Sequence, residues 1–194
     1  MNEMKQKKLT TRMVTVMALC IGLNFLGSTI ALWLRLPIYL DSIGTIFAGA
    51  LLGPIPGVLT GLSSSLLSGV TTDIFSLYYS PIQIITGLLA GLILPSKLQN
   101  HGLINRLSLF LWALVLSLPG TIISSIITIK LFGGITSSGS SMIVQLLYGL
   151  GLNQSASVVL VQTATDYLDR LLSVIAVALA VSALPRQALL VNKK

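Results

Sequence analysis

Charged side chains are scarce in this sequence: Asp, Glu, Lys and Arg make up 9% of its 194 residues, and five of them are acidic. With 54% hydrophobic residues and a mean hydropathy of +0.91, that scarcity excludes an ordinary soluble domain. A single cysteine, Cys20, excludes an intrachain disulfide, and its apolar setting makes it a small hydrophobe with no redox role. The single histidine, His101, has no Cys, Asp, Glu or second His near it in the chain and reads as a solvated loop residue, so no metal site is expected. No His-Glu-x-x-His, Gly-x-Ser-x-Gly or Walker loop is present. Asp166-x-x-Asp169 lacks the second acidic motif that a metal-dependent membrane transferase needs. The chain therefore reads as neither an enzyme nor the holder of a cofactor. A net charge of +7 is spread over short loops and termini, which excludes a nucleic-acid patch.

What is present is a series of apolar, glycine-rich segments broken by prolines. A basic head, Lys5 to Arg12, precedes a long apolar run without a small-x-small cleavage site, which reads as a first transmembrane helix and not as a signal peptide. The pattern predicts one integral membrane domain over 1–194, all-α, with six transmembrane helices at about 13–34, 38–53, 56–70, 81–95, 107–131 and 157–184. Small residues four apart, such as Gly44 with Ala48 and Gly57 with Gly61, predict a tight hairpin of the second and third helices. Both are close to the lower limit of about 17 residues for spanning a bilayer. Pro119 should kink the fifth helix, with Ser117 or Ser124 satisfying the freed backbone. Phe132 to Asn153, whose apolar piece is too short to span, reads as a loop folded over the surface.

Charge sets the orientation. Six spans put Lys5, Lys7, Lys8, Arg12, Lys97, Arg106, Arg186, Lys193 and Lys194 on one side, with Arg35 and Lys130 on the other. The positive-inside rule then places both termini in the cytoplasm.

The remaining polarity gathers on the outer side. The chain is organised around Leu36 to Gly57, read as an apolar helix bounded by prolines with Asp41 near its start, where it either caps the helix or serves a site. Tyr39, Asp41, Asp73, Tyr78, Tyr79, Gln83, Gln162, Asp166, Asp169 and Arg170 form the candidate substrate-binding set. The spacing of Asp166 and Arg170 predicts an i, i+4 ion pair. In the first helix, Ala18 and Gly22 form a small-xxx-small pair that admits a close helix neighbour.

The Leu-Pro-Ile-Tyr-Leu-Asp-Ser-Ile-Gly-Thr-Ile segment followed by Gly-Pro, and Asp-Tyr-Leu-Asp-Arg-Leu-Leu-Ser-Val-Ile from Asp166 to Ile175, resemble the S component of an energy-coupling factor (ECF) vitamin transporter. The resemblance covers nearly the whole chain. It implies a compact bundle in the bacterial plasma membrane that binds a water-soluble vitamin outside and is energised, as an ABC importer, by a transmembrane coupling protein and two ATPases. It also implies that Ala18 and Gly22, standing for an Ala-xxx-Ala pattern, contact the coupling protein, and that Leu36–Asp41, Val70–Ser80 and Phe132–Ser155 line the site. A fifth loop rich in Gly and Ser suits cobalamin as substrate. Pantothenate or another small vitamin is the alternative, with Arg35 or Arg170 holding its carboxylate, and a membrane sensor or assembly module is a reading of a different class.

Overall fold

The computed structural model describes residues 10–94 and 106–183, and among these it is all-helical. The expectations for His101, for the 95–106 loop as a whole and for the basic termini lie outside the described residues. Thr10 caps α1 (Thr11–Trp33) by accepting from the Met13 amide. Next come α2 (Ile43–Leu52), α3 (Pro54–Thr71), a single turn α4 (Phe75–Tyr78) and α5 (Ser80–Ile93). After the interruption follow α6 (Arg106–Phe132), α7 (Ser140–Gly149) and α8 (Gln154–Ala183).

Glycine sets how closely the first five helices pack. Gly53, at φ 105°, reverses the chain between α2 and α3 in one residue, and Pro54 starts α3 where its missing N–H is not needed. A Cβ on Gly57 of α3 would lie 2.6 Å from the Gly87 carbonyl of α5 and 2.8 Å from the Gly49 Cα of α2. Three backbones therefore meet at one point, and the predicted α2–α3 hairpin is there with α5 packed into it. In the other half α6 lies along α8, and α7 packs on the start of α8 through Val144, Val158 and Val161.

The interior is apolar at one end and polar at the other. Ile46, Ala50, Ala90, Leu94, Leu116, Val174, Val177 and Val181 form the core where α2, α5, α6 and α8 meet. Towards the opposite end the buried positions are filled by Asn24, Thr45, Ser64, Ser65, Gln83, Ser124, Thr128, Gln162 and Asp169. Large apolar side chains point outward instead: Leu19, Leu23, Leu26 and Ile30 on α1, and Leu111, Leu118, Ile122 and Ile126 on α6. α1 and residues 108–132 of α6 are long and apolar enough to cross a bilayer. Such outer faces are what a hydrocarbon solvent requires and water does not.

Two segments differ from the sequence expectation. The helix expected from residue 38 begins only at Ile43, because Arg35 and Leu40 adopt positive φ (49° and 53°) and break the backbone ladder. The stretch 35–42 instead descends beside α1: a Cβ on Gly27 would collide with the Leu40 carbonyl, seven residues or about 10 Å below the α1 C-cap at Leu34. Non-helical backbone at such depth survives only inside protein or against a cavity. Second, residues 132–153 are not a plain loop but carry α7, whose Ser140, Ser141 and Val144 face inward while Met142, Leu146 and Tyr148 face out.

Candidate functional site

Three connecting segments meet at the polar end of the bundle: 34–42, 72–79 and 133–139. They are joined through side chains, with Ser137 Oγ donating to Asp73 Oδ2 at 2.8 Å and Tyr39 Oη 3.2 Å from Ser140 Oγ. Beneath them lies a cavity of about 840 Å³, counted out to its open mouth. Leu36 and Ile38 line it from the first segment, Phe75 and Ser76 from the second, and Thr136 to Ser138 from the third.

The floor is built on α8. Asp169 is 1% exposed and accepts from the amides of Tyr39 (3.1 Å) and Leu40 (2.7 Å) through Oδ1. Its Oδ2 accepts from Arg170 Nη1 at 2.9 Å, and the same Nη1 donates to Ser42 Oγ. The guanidinium also stands 4.0 Å from Asp41. The expected Asp166–Arg170 pair is thus replaced: Arg170 bonds its chain neighbour Asp169, and Asp166 Oδ2 accepts from Ser124 Oγ at 2.9 Å. The cause is the descending 35–42 segment, whose bare amides and Ser42 hydroxyl draw Asp169 and Arg170 together. Asp41 does not cap α2 either, because its Oδ1 accepts from the Ser42 hydroxyl at 2.6 Å.

From Ser42 a hydrogen-bonded chain runs inward across four helices. Gln83 Nε2 donates to the Asp41 carbonyl (3.1 Å) and to Ser42 Oγ (3.3 Å), while its Oε1 accepts from Thr45 Oγ1 at 2.8 Å. Asn24 Nδ2 donates to Thr45 Oγ1 (2.8 Å) and Ser64 Oγ (3.1 Å), and its Oδ1 accepts from the Gly44 amide at 2.7 Å. A second chain backs the opposite wall. Tyr79 Oη lies 2.6 Å from Thr128 Oγ1, which accepts from Gln162 Nε2 at 2.6 Å, and Gln162 Oε1 accepts from Ser124. Ser124 is therefore engaged with α8, and neither it nor Ser117, which donates to Leu114, serves the carbonyl freed by Pro119.

Of the candidate set, Tyr39, Asp41, Asp73, Tyr79, Gln83, Asp166 and Arg170 reach the cavity wall. Gln162 and Asp169 stand behind it as bracing. Tyr78 packs outside against Phe132, at 5.2 Å between ring centroids, and Phe75 at 4.7 Å and Tyr79 at 6.1 Å pack on the same ring. Phe75 and Tyr79 of this cluster line the cavity, with Phe132 packed behind them. Burial pushes the Tyr79 phenol up to about 12, so it stays a protonated hydrogen-bonding group at physiological pH. The 136–138 hydroxyls fall within the Phe132–Ser155 stretch that the resemblance implies at the site, whereas Ser124 is not among the sequence candidates, since only the packing of α6 on α8 brings it to the cavity. Ala18 is exposed and a Cβ on Gly22 would meet nothing within 4 Å, so none of the described helices occupies that face.

A family model described as the ECF transporter substrate-specific component matches residues 12–187. The chain belongs to this family. No curated protein and no solved structure gives a significant match. An ECF substrate-specific component is a membrane transport subunit and not an enzyme, and membership implies partnership with the ECF coupling protein and ATPases and a small-molecule substrate.

Proposed function

We propose that this ECF substrate-specific component captures a small water-soluble vitamin at the cavity beneath the three loops and passes it inward together with the coupling protein and two ATPases. The observation that carries the reading is the convergence of three sequence-distant segments and α8 on one cavity at the polar end of the bundle. The volume free inside the cavity is about 100 Å³, the larger figure of about 840 Å³ including open solvent at the mouth. A free space of that size favours a small vitamin over the far larger cobalamin.

The same reading places the protein in the bacterial plasma membrane as a six-span subunit with both termini cytoplasmic, supported by the excess of Lys and Arg at the termini and in the 95–106 loop. The free Ala18–Gly22 face of α1 suits the coupling protein, because small residues let a second helix approach. The experiment is co-expression with an ECF coupling protein and its ATPases, followed by uptake of a panel of radiolabelled vitamins into cells. Uptake of one compound that needs all components supports the proposal. Uptake unaffected by removing this chain would refute it.

A further inference from the structure

Charge around the cavity is strongly one-sided. Asp41, Asp73 and Asp166 line it, and Arg170 is the only cation on its wall among the described residues. One edge of that guanidinium is held, Nη1 contacting the fully buried Asp169 and Ser42 with Asp41 at 4.0 Å, while its buried Nε has no hydrogen-bond partner among the described residues. Arg35 and Lys130, the other cations at this end, are exposed and off the wall. An anionic vitamin would have to pass three carboxylates to reach Arg170, whose charge Asp169 already offsets. Among the described residues no three of His, Cys, Asp and Glu come together to hold a metal ion, so the carboxylates are spread around a molecule-sized space. Tyr39, Phe75 and Tyr79 add aromatic rings to that wall, and serine and threonine hydroxyls fill the rest.

Resting on the reading of this cavity as the solute site, we infer that its ligand is a small organic cation, an ammonium or a positively charged heterocycle. Its charge sits between Asp41 and Asp166, its apolar or aromatic part lies against Phe75 and Tyr79, and its hydroxyl or amide groups meet Ser76 and the 136–138 loop. A cation supplies the counter-charge that these carboxylates lack once water is excluded, and aromatic faces attract it further. Arg170 is then a structural group that fixes the 35–42 segment, and not a carboxylate receptor.

The test is calorimetric titration of the purified full chain in lipid nanodiscs with size-matched probes of three charges: thiamine as cation, pyridoxine as neutral, and pantothenate and biotin as anions. The inference predicts saturable binding of the cation alone. Asp41→Asn and Asp166→Asn should each weaken it by about tenfold or more, the scale of a lost charge-assisted hydrogen bond. Asp73→Asn, on the surface loop, provides a third variant whose folding is not at stake and should weaken binding in the same direction. Saturable binding of pantothenate, biotin or pyridoxine in preference to thiamine, blocked by Ser76→Trp in the cavity, would overturn the cation assignment and leave the solute-binding reading standing. Binding of none of the probes by a folded protein would overturn both.

Discussion

The backbone amide of Leu40 donates to Asp169 Oδ1 at 2.7 Å, across 129 positions of sequence. Through this bond a carboxylate in the middle of the last helix holds a residue whose φ of +53° is costly for leucine. The adjoining Arg170 then has its partner in Asp169, and Ser42 is set at the head of the polar chain leading to Asn24. The shape of the cavity floor depends on this one carboxylate.

Replacing Asp169 with Asn therefore leaves Arg170 buried with its main partner neutralised, which costs about 3–5 kcal/mol where a buried pair is broken. The expected outcome is a large fall in melting temperature in detergent or loss of folded protein. Asp169→Asn combined with Arg170→Gln should recover part of that loss, and a double variant worse than the single would show that the two residues act independently.

Asn24 bridges α1, α2 and α3 with two donated bonds and one accepted bond, while 1% exposed. Asn24→Leu strands the Gly44 amide and is expected to destabilise by about 1–3 kcal/mol, the penalty for an unsatisfied buried group. Chemical denaturation of the folded protein in mixed micelles would measure it, and an unchanged midpoint would contradict the assigned network.

Two glycines on different helices, Gly57 on α3 and Gly22 on α1, give opposite expectations. Gly57→Val pushes a side chain into the Gly87 carbonyl of α5 and should abolish folding or cost at least the about 1–3 kcal/mol of an overpacked core. Gly22→Leu meets open space, so the fold should keep its melting temperature while co-purification with the coupling protein is lost. Retained co-purification in that variant would remove the α1 face from the proposed interface.

Phe132 contacts three aromatic rings, two of which line the cavity, each such pair adding about 0.5–1.5 kcal/mol beyond burial. Phe132→Ala should loosen that wall and raise the ligand dissociation rate more than it alters the association rate. Stopped-flow displacement of a bound vitamin would separate the two rates.

Much of this architecture was legible in the residues themselves. Apolar runs and proline stops located the helices, glycine spacing foretold the α2–α3 hairpin but not α5 packed into it, and polar residues clustered at one end pointed to the cavity wall. Tyr39, Asp41 and Tyr79 were within reach of sequence reasoning because polar groups in an apolar chain need a reason to be there. Less visible was the 35–42 descent, since Leu40 at positive φ follows no local preference and exists only because Asp169 holds it. The Asp166–Arg170 spacing suggested a pair that the tertiary contacts of Asp169 and Ser42 override. The inward face of α7, with Ser140, Ser141 and Val144, was hidden in a stretch too short to span and too rich in Gly and Ser beforehand to read as helix. Tryptophan is also a poor reporter here, because neither Trp33 nor Trp112 lines the cavity.

The most direct test of the central claim is native mass spectrometry of the full chain released from detergent after incubation with the vitamin panel, compared with the Ser76→Trp variant. If the cavity is the solute site, the wild-type protein carries one small molecule per chain and the variant, folded and of the same oligomeric state, carries none. Equal occupancy in both proteins would place the ligand elsewhere and contradict the account.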